Sequence, residues 1–76
     1  MRVNAIPVVS SNIASIGYLC GRLYVQFLNG GTYQYENVKF RDFREMCHAE
    51  SAGKFFNKFI KPVYEFVKLE DNPFSS

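Results

Sequence analysis

A tight turn followed by a strand with two tyrosines constrains the fold of this chain more than any other stretch. Positions 29–31 read Asn-Gly-Gly, and an Asn-Gly pair is a strong hairpin signal because both residues tolerate positive φ. Tyr33 and Tyr35 follow two positions apart, so both rings point to the same face of a strand. The rings form either part of a core or a surface on which a ligand stacks. If they belong to the core, the polar residues that alternate with them form the solvent face: Thr32, Gln34 and Glu36.

The segments around this turn have the pattern of an antiparallel sheet. Residues 13–20, 23–28 and 32–38 are rich in β-branched, aliphatic and aromatic side chains, as strands are. The first two segments are joined by a short connection in which Gly21 can take a strained conformation. Connections this short permit only antiparallel neighbours, so the sequence predicts a three-stranded meander. The residues predicted to share a face within their strands are Ile16 and Tyr18, and Leu23, Val25 and Phe27.

The apolar period changes to that of helices after residue 38. Phe40, Phe43 and Met46 recur at three-residue spacing, which predicts an amphipathic helix. Ser51 is the predicted N-cap of a second helix, since its hydroxyl can accept a free backbone N–H. Pro62 is predicted to end that helix, because proline disfavours the helical conformation of the residue before it. The apolar side chains of the second helix are Phe55, Phe56, Phe59 and Ile60.

The remaining segment completes the predicted architecture. Residues 63–69 favour a short fourth strand, with a third helix begun by Pro62 as the alternative. Strands followed by helices predict an α+β fold, a small antiparallel three- to four-stranded β-meander with two helices packed on one face. Residues 1–9 are predicted as an N-terminal arm, residues 10–70 as the domain and residues 71–76 as a frayed C-terminal tail.

Composition limits the class of protein. Seventy-six residues make one domain, and a net charge of +2 does not by itself indicate a nucleic-acid binder. The chain has neither an apolar signal segment nor an apolar run of membrane-spanning length, so we expect a cytoplasmic protein with no membrane partner. Cys20 and Cys47 are predicted to be free thiols that behave as small buried hydrophobes.

The aromatic content suggests an interaction surface. Eight Phe and five Tyr are more than a core of this size is expected to bury. An exposed apolar patch would mark an interface with another protein or between two copies of the chain, so we expect a monomer or a homodimer. The side chains that are candidates for exposure are Phe40, Phe59, Tyr64, Phe66 and Phe74.

The sequence carries no recognisable catalytic group. His48 is the only histidine, and on a helix its side chain and that of the adjacent Cys47 point about 100° apart. The chain has no Cys-x-x-Cys motif and no second histidine, so it does not supply the ligands of a zinc site. The Gly30-Gly31 pair lacks the helix and the Lys-Ser/Thr pair that follow a phosphate-binding loop. We therefore expect a protein that is not an enzyme and that has no cofactor and no metal.

Three lysines form the main candidate for a charged binding surface. Lys54, Lys58 and Lys61 are four and three positions apart and share one stripe of the second predicted helix. This lysine stripe is either a contact for phosphates or acidic groups, or simply the solvated face of the helix. Arg22 in the first hairpin could extend it. Asn57, which lies between apolar residues, is predicted to satisfy backbone hydrogen bonds inside the fold.

Four segments in order resemble the KTSC domain family: residues 10–13, 15–18, 32–38 and 51–57. The Tyr-x-Tyr centre and the block Gly53-Lys54-Phe55-Phe56-Asn57 are the most specific parts. The chain departs from the family in a short connection at residues 19–22 and in Phe55, which stands where the family often has tyrosine. KTSC domains occur at the C-terminus of some lysyl-tRNA synthetases and as small stand-alone bacterial and phage proteins, and that attachment implies RNA binding.

Two hypotheses for function follow. The first is a non-enzymatic module that binds RNA or another nucleic acid through the lysine stripe and aromatic rings. The second is a small inhibitor or adaptor, of phage or mobile-element origin, that binds a host protein. The predicted binding residues are Arg22, Tyr33, Tyr35, Lys54, Lys58 and Lys61, and the predicted structural residues are Asn29, Gly30, Gly31, Gly53, Phe56 and Asn57.

Overall fold

One antiparallel sheet and two short helical segments form the domain. The structure is a computed structural model that describes residues 3–8, 10–70 and 74. The strands are β1 (Ile6–Pro7), β2 (Ile13–Leu19), β3 (Arg22–Phe27), β4 (Thr32–Tyr35) and β5 (Phe66–Leu69), paired in chain order. The helices are α1 (Phe40–His48) and α2 (Ala52–Phe55), and α2 continues directly into a π-helical segment (Phe56–Ile60). The predicted α+β meander is confirmed, with β1 as an additional edge strand and with residues 66–69 forming a strand rather than a helix.

The two predicted hairpin turns form by different means. Cys20 and Gly21 both have positive φ, 53° and 78°, which is typical of a two-residue type I′ turn. At the second turn only Gly30 has positive φ, at 100°, so the expectation that Asn29 shares this conformation is wrong. A three-residue loop closes there instead, with Gly30 N–H donating to Phe27 O at 2.9 Å and Phe27 N–H to Gly31 O at 2.8 Å. Cys20 lies at an exposed turn, so it is not the buried hydrophobe that we expected.

The main core lies between the sheet and the helices. In the strands, Ile16 of β2 pairs with Val25 of β3, and Leu23 of β3 pairs with Tyr35 of β4, all on the helix-facing side. The helical segments contribute apolar side chains to the same cluster, as their periodicity predicts. These helical core residues are Phe43, Met46, Ala52, Phe56 and Ile60.

A second apolar cluster covers part of the opposite face of the sheet. Val3 and Phe74 pack there on Tyr24 of β3, and the three side chains are at most 8% exposed. A Cβ on Gly17 would lie only 2.4 Å from Val3 Cγ1 and 2.8 Å from Phe74 Cε1, so this position admits glycine alone. Thr32 is also buried on this side, so the prediction that the opposite face is solvent-exposed is wrong for it.

The exposed aromatic residues are fewer than we expected. Phe40, Phe59 and Phe66 are exposed, which confirms three of the predicted positions. Tyr64 is half-buried and donates a hydrogen bond from its hydroxyl to Asp42 Oδ2 at 2.5 Å. Phe74 is buried, because it closes the second apolar cluster. Residues 71–73, 75 and 76 of the predicted tail lie outside the described residues.

Candidate functional site

A cleft opens between the end of the sheet and the π-helical segment. Its volume is about 390 Å³, within the range of small-molecule sites. Aromatic rings line one wall, and four polar side chains line the rest. The aromatic residues are Phe27, Tyr33, Tyr35, Phe56 and Phe66, and the polar residues are Asn12, Asn29, Asn57 and Lys61.

The aromatic wall is held by ring-to-ring contacts. Tyr33 lies 5.4 Å from Phe27 and 5.6 Å from Phe66, measured between ring centroids. Tyr35 contacts Phe56 at 5.1 Å and Phe66 at 5.4 Å. These separations lie in the favourable range for aromatic pairs, so the rings support one another from β3, β4, β5 and the π-helical segment.

The two tyrosines have different environments. Tyr35 is 3% exposed, so its ring is packed in the core and the prediction that it stacks against a ligand is wrong. Burial raises the pKa of the Tyr35 phenol, and the neighbouring Tyr33 adds to the shift. Tyr33 is only half-buried and lines the cleft. Tyr33 is therefore the tyrosine of the pair that can contact a bound molecule.

Asn12 is placed by a compact turn at the start of β2. Ser10 Oγ accepts the backbone N–H of Asn12 at 3.2 Å and that of Ile13 at 3.1 Å. Its own hydrogen is donated to Asn12 Oδ1 at 2.9 Å. This turn packs directly on α2, since a Cβ on Gly53 would lie 2.6 Å from Asn12 Oδ1 and 2.7 Å from Ser10 Oγ. The close approach of the turn leaves no room for a Cβ at position 53 unless the turn shifts.

Asn29 is placed by the second hairpin turn. Its Oδ1 accepts the backbone N–H of Gly31 at 3.0 Å, which fixes the side chain beside the turn. Asn29 also lines the cleft.

Asn57 comes from the π-helical segment. Its side chain is exposed and lines the cleft, and among the described residues it has no hydrogen-bonding partner. The predicted hydrogen-bonding role inside the fold is therefore wrong. Single π-helical turns within α-helices are frequently found at functional sites, and here the turn begins one residue before Asn57.

The lysine stripe is divided between two surfaces. Lys61 lines the cleft beside Asn57. Lys54 and Lys58 instead line a separate hollow of about 400 Å³, where Lys58 Nζ lies 5.4 Å from the centre of the Phe59 ring. All three lysines are exposed, and within the described part of the chain none of them forms an ion pair.

Arg22 forms an ion pair with Glu36 and does not line the cleft. Its Nε lies 3.3 Å from Glu36 Oε2 across β3 and β4, and the carboxylate raises the pKa of the guanidinium. Gln34 also donates a hydrogen bond to Glu36. The Arg22 side chain is still 46% exposed, so the prediction that Arg22 extends the lysine stripe stays a prediction.

Six residues of the cleft were not predicted from the sequence as binding residues. Asn29, Phe56 and Asn57 were predicted as structural residues, and Asn12, Phe27 and Phe66 were in neither set. Asn12 and Asn29 come from different loops, and Phe66 comes from a strand that follows the helices. The one feature of the sequence that could have indicated these positions is a polar side chain within an apolar or turn-forming segment, as at Asn12 and Asn57. Their convergence depends on the tertiary fold.

Comparison with known proteins identifies the family of this chain. The family model described as the KTSC domain matches residues 9–64. The chain belongs to the KTSC domain family. The KTSC match spans both the Asn12 turn and the segment that carries Asn57 and Lys61, so most of the cleft lies inside it.

Two similar proteins extend the comparison. A KTSC domain protein from Yersinia pestis, known from a crystal structure, is 38% identical, with a TM-score of 0.83 over 90% of this chain and 99% of that one. A protein from Tsukamurella paurometabola, whose name states no activity, is 38% identical over 65 residues, covering 83% of this chain and 97% of its own length. The Yersinia pestis protein is described as a KTSC domain protein, and neither name states a ligand or an activity.

Two further properties concern the described residues only. Within residues 3–8, 10–70 and 74, no group of three or more His, Cys, Asp or Glu side chains is arranged to hold a metal ion. None of the helices in that part of the chain has the length and apolar character needed to cross a bilayer.

Proposed function

We propose that this KTSC domain is a non-enzymatic module that binds single-stranded RNA in the cleft. The observation that carries the proposal is the position of Lys61, an unpaired cation at the edge of an aromatic wall that also carries three asparagine amides. Proteins that bind unpaired RNA combine the same three elements: rings that stack on bases, polar groups that contact base edges, and cations that contact phosphates.

The aromatic wall supplies the stacking surface. Tyr33 is half-buried and Phe66 is 53% exposed, so both rings can contact a base from the solvent side. A base stacked on an aromatic side chain contributes about 1–3 kcal/mol, and such stacking tolerates different sequences. Tyr35 and Phe56 act beneath them as the packed support of these rings.

The cations supply contacts to the phosphates on each side of a bound base. Lys61 lies at the cleft, while Lys54 and Lys58 follow along the same helical segments. For single strands, each neutralised phosphate adds about −0.7 to the slope of log affinity against log salt. With one to three phosphates held, affinity falls about threefold to twentyfold between 50 and 200 mM salt.

A titration of labelled single-stranded RNA with the full chain tests the proposal. We expect binding that weakens with salt in this range and that is reduced in Lys61→Glu. Lys39→Glu is the matched control, because Lys39 is an exposed lysine outside the cleft lining. Equal loss of affinity in both variants, or no binding at about 50 mM salt, would contradict the proposal.

The alternative is a protein-binding adaptor, and the exposed rings of Phe40 and Phe59 favour it. Both rings lie outside the cleft lining. Different variants therefore test the two functions. Phe40→Ala should leave RNA binding unchanged if the cleft is the binding site.

A further inference from the structure

We infer that the cleft prefers uracil, which carries a carbonyl oxygen at ring position 4, over cytosine, which carries an amino group there. This inference rests on the proposed RNA-binding function and concerns the specificity of the same site. It follows from the hydrogen-bond donors that Asn12, Asn29 and Lys61 offer to a ligand.

The oxygen of the Asn12 amide is already engaged within the turn, and its Nδ2 is not. Ser10 Oγ accepts two backbone N–H groups, so its one hydrogen must be donated, and the atom that receives it is Asn12 Oδ1. The same oxygen lies against Gly53, as the short distance to a Cβ at that position indicates. The Nδ2 hydrogens are therefore the groups that Asn12 can offer to the cleft.

The amide of Asn29 is oriented in the same way. Its Oδ1 already accepts the N–H of Gly31, whereas both Nδ2 hydrogens are without a partner among the described residues. Lys61 has three N–H donors and no acceptor. Three of the four asparagine and lysine side chains of the cleft thus offer donors, and the amide of Asn57 is the one that can turn either way.

This set of donors discriminates between uracil and cytosine at position 4 of the pyrimidine ring. Uracil presents a carbonyl oxygen at the position where cytosine presents an amino group. A carbonyl oxygen can accept from Asn12 or Asn29, whereas an amino group directed at the same donors leaves both unpaired. The single N–H of uracil can be accepted by Asn57 or by the Tyr33 hydroxyl. Cytosine keeps two acceptors of its own, so we expect a difference of about five- to tenfold rather than exclusion.

The experiment compares a ten-nucleotide oligouridine with an oligocytidine of the same length, against the full chain at low salt. We expect the oligouridine to bind about five- to tenfold more tightly. Equal affinities, or tighter binding of oligocytidine, would overturn the inference while leaving the proposed function intact. Binding of neither oligonucleotide would instead overturn the proposed function, so the two failures are distinguishable.

The variant Asn12→Asp tests the origin of the preference. Aspartate retains an oxygen for Ser10 but replaces the donor with an acceptor, so the ratio of the two affinities should shift toward oligocytidine. The added negative charge weakens the binding of both oligonucleotides alike, so it does not change the ratio of their affinities. Asn4→Asp adds the same charge at an exposed residue outside the cleft, and it should leave the ratio unchanged. A ratio unaffected by Asn12→Asp would contradict the assignment of Asn12 as a donor.

Discussion

Tyr35 combines a core position with an ionisable group, and this combination makes the stability of the domain sensitive to alkali. Its ring packs against Phe56 and Phe66, and burial raises the pKa of its phenol above the ordinary value near 10. The raised pKa means that the folded protein holds this proton more tightly than the unfolded chain does. The stabilisation is complete below the unfolded pKa and is lost as the pH rises through the folded pKa.

We therefore expect the free energy of unfolding to fall as the pH rises above about 10. Urea unfolding at a series of pH values measures this, and Tyr35→Phe should show a shallower fall. Some pH dependence should remain, because the hydrogen bond to Asp42 raises the pKa of Tyr64 and burial raises that of Cys47, with the same sign. An identical pH dependence in Tyr35→Phe and the parent would contradict this account.

At the scale of elements, the contact between the Ser10–Asn12 turn and α2 sets the geometry of the cleft. Gly53→Ala places a methyl group within 2.7 Å of Ser10 Oγ and 2.6 Å of Asn12 Oδ1, although its φ is not in the left-handed region. We expect a loss of about 1–3 kcal/mol in the free energy of unfolding, which is the usual effect of overpacking. Chemical denaturation measures it.

A double-mutant cycle separates this contact from a general effect of alanine in α2. In a background of Ser10→Ala and Asn12→Ala the atoms that meet the new methyl group are gone, so Gly53→Ala should be much less destabilising. An unchanged loss in that background would show that the packing of the turn on α2 is not the cause.

The elements themselves were largely predictable, for reasons that are local. The three central strands follow from alternation and from glycine turns, and Ser51 caps α2 as predicted, accepting the N–H of Lys54 at 3.3 Å. The short strand β1 was not predicted, since two residues carry no periodicity and one of them is Pro7. The π-helical segment was not predicted either, because one widened turn leaves no mark in an apolar pattern built on helical spacing.

At the scale of the whole molecule, apolar clusters pack on both faces of the sheet, although the second cluster covers only part of its face. Val3 and Phe74 form an isolated parallel bridge and close the second apolar cluster over Tyr24. We expect Phe74→Ala to lower the free energy of unfolding by about 2–3 kcal/mol. This is less than the same substitution costs in the core of a larger protein. Leu28→Ala, at a residue that is 62% exposed, should change it little. Equal stability of the two variants would indicate that position 74 contributes nothing to the fold.

The residues of the cleft were only partly predictable from the sequence. Tyr33 and Lys61 were predicted as binding residues because an aromatic alternation and a lysine spacing are local signals. Asn12 and Phe66 could not be placed beside them, since they are 21 and 33 positions from Tyr33 in the sequence and only the meander brings them together. The orientation of the Asn12 amide depends on Ser10, a contact that no spacing rule describes.

The central claim is that the cleft is where RNA binds, and an NMR titration tests it most directly. The isotope-labelled full chain would be titrated with the ten-nucleotide oligouridine while the side-chain amide signals of the asparagines are followed. The account predicts that the signals of Asn12, Asn29 and Asn57 shift together with the ring signals of Tyr33, and that those of Asn4 do not. Shifts confined to α1 or to the surroundings of Phe40, with the cleft signals unchanged, would contradict it.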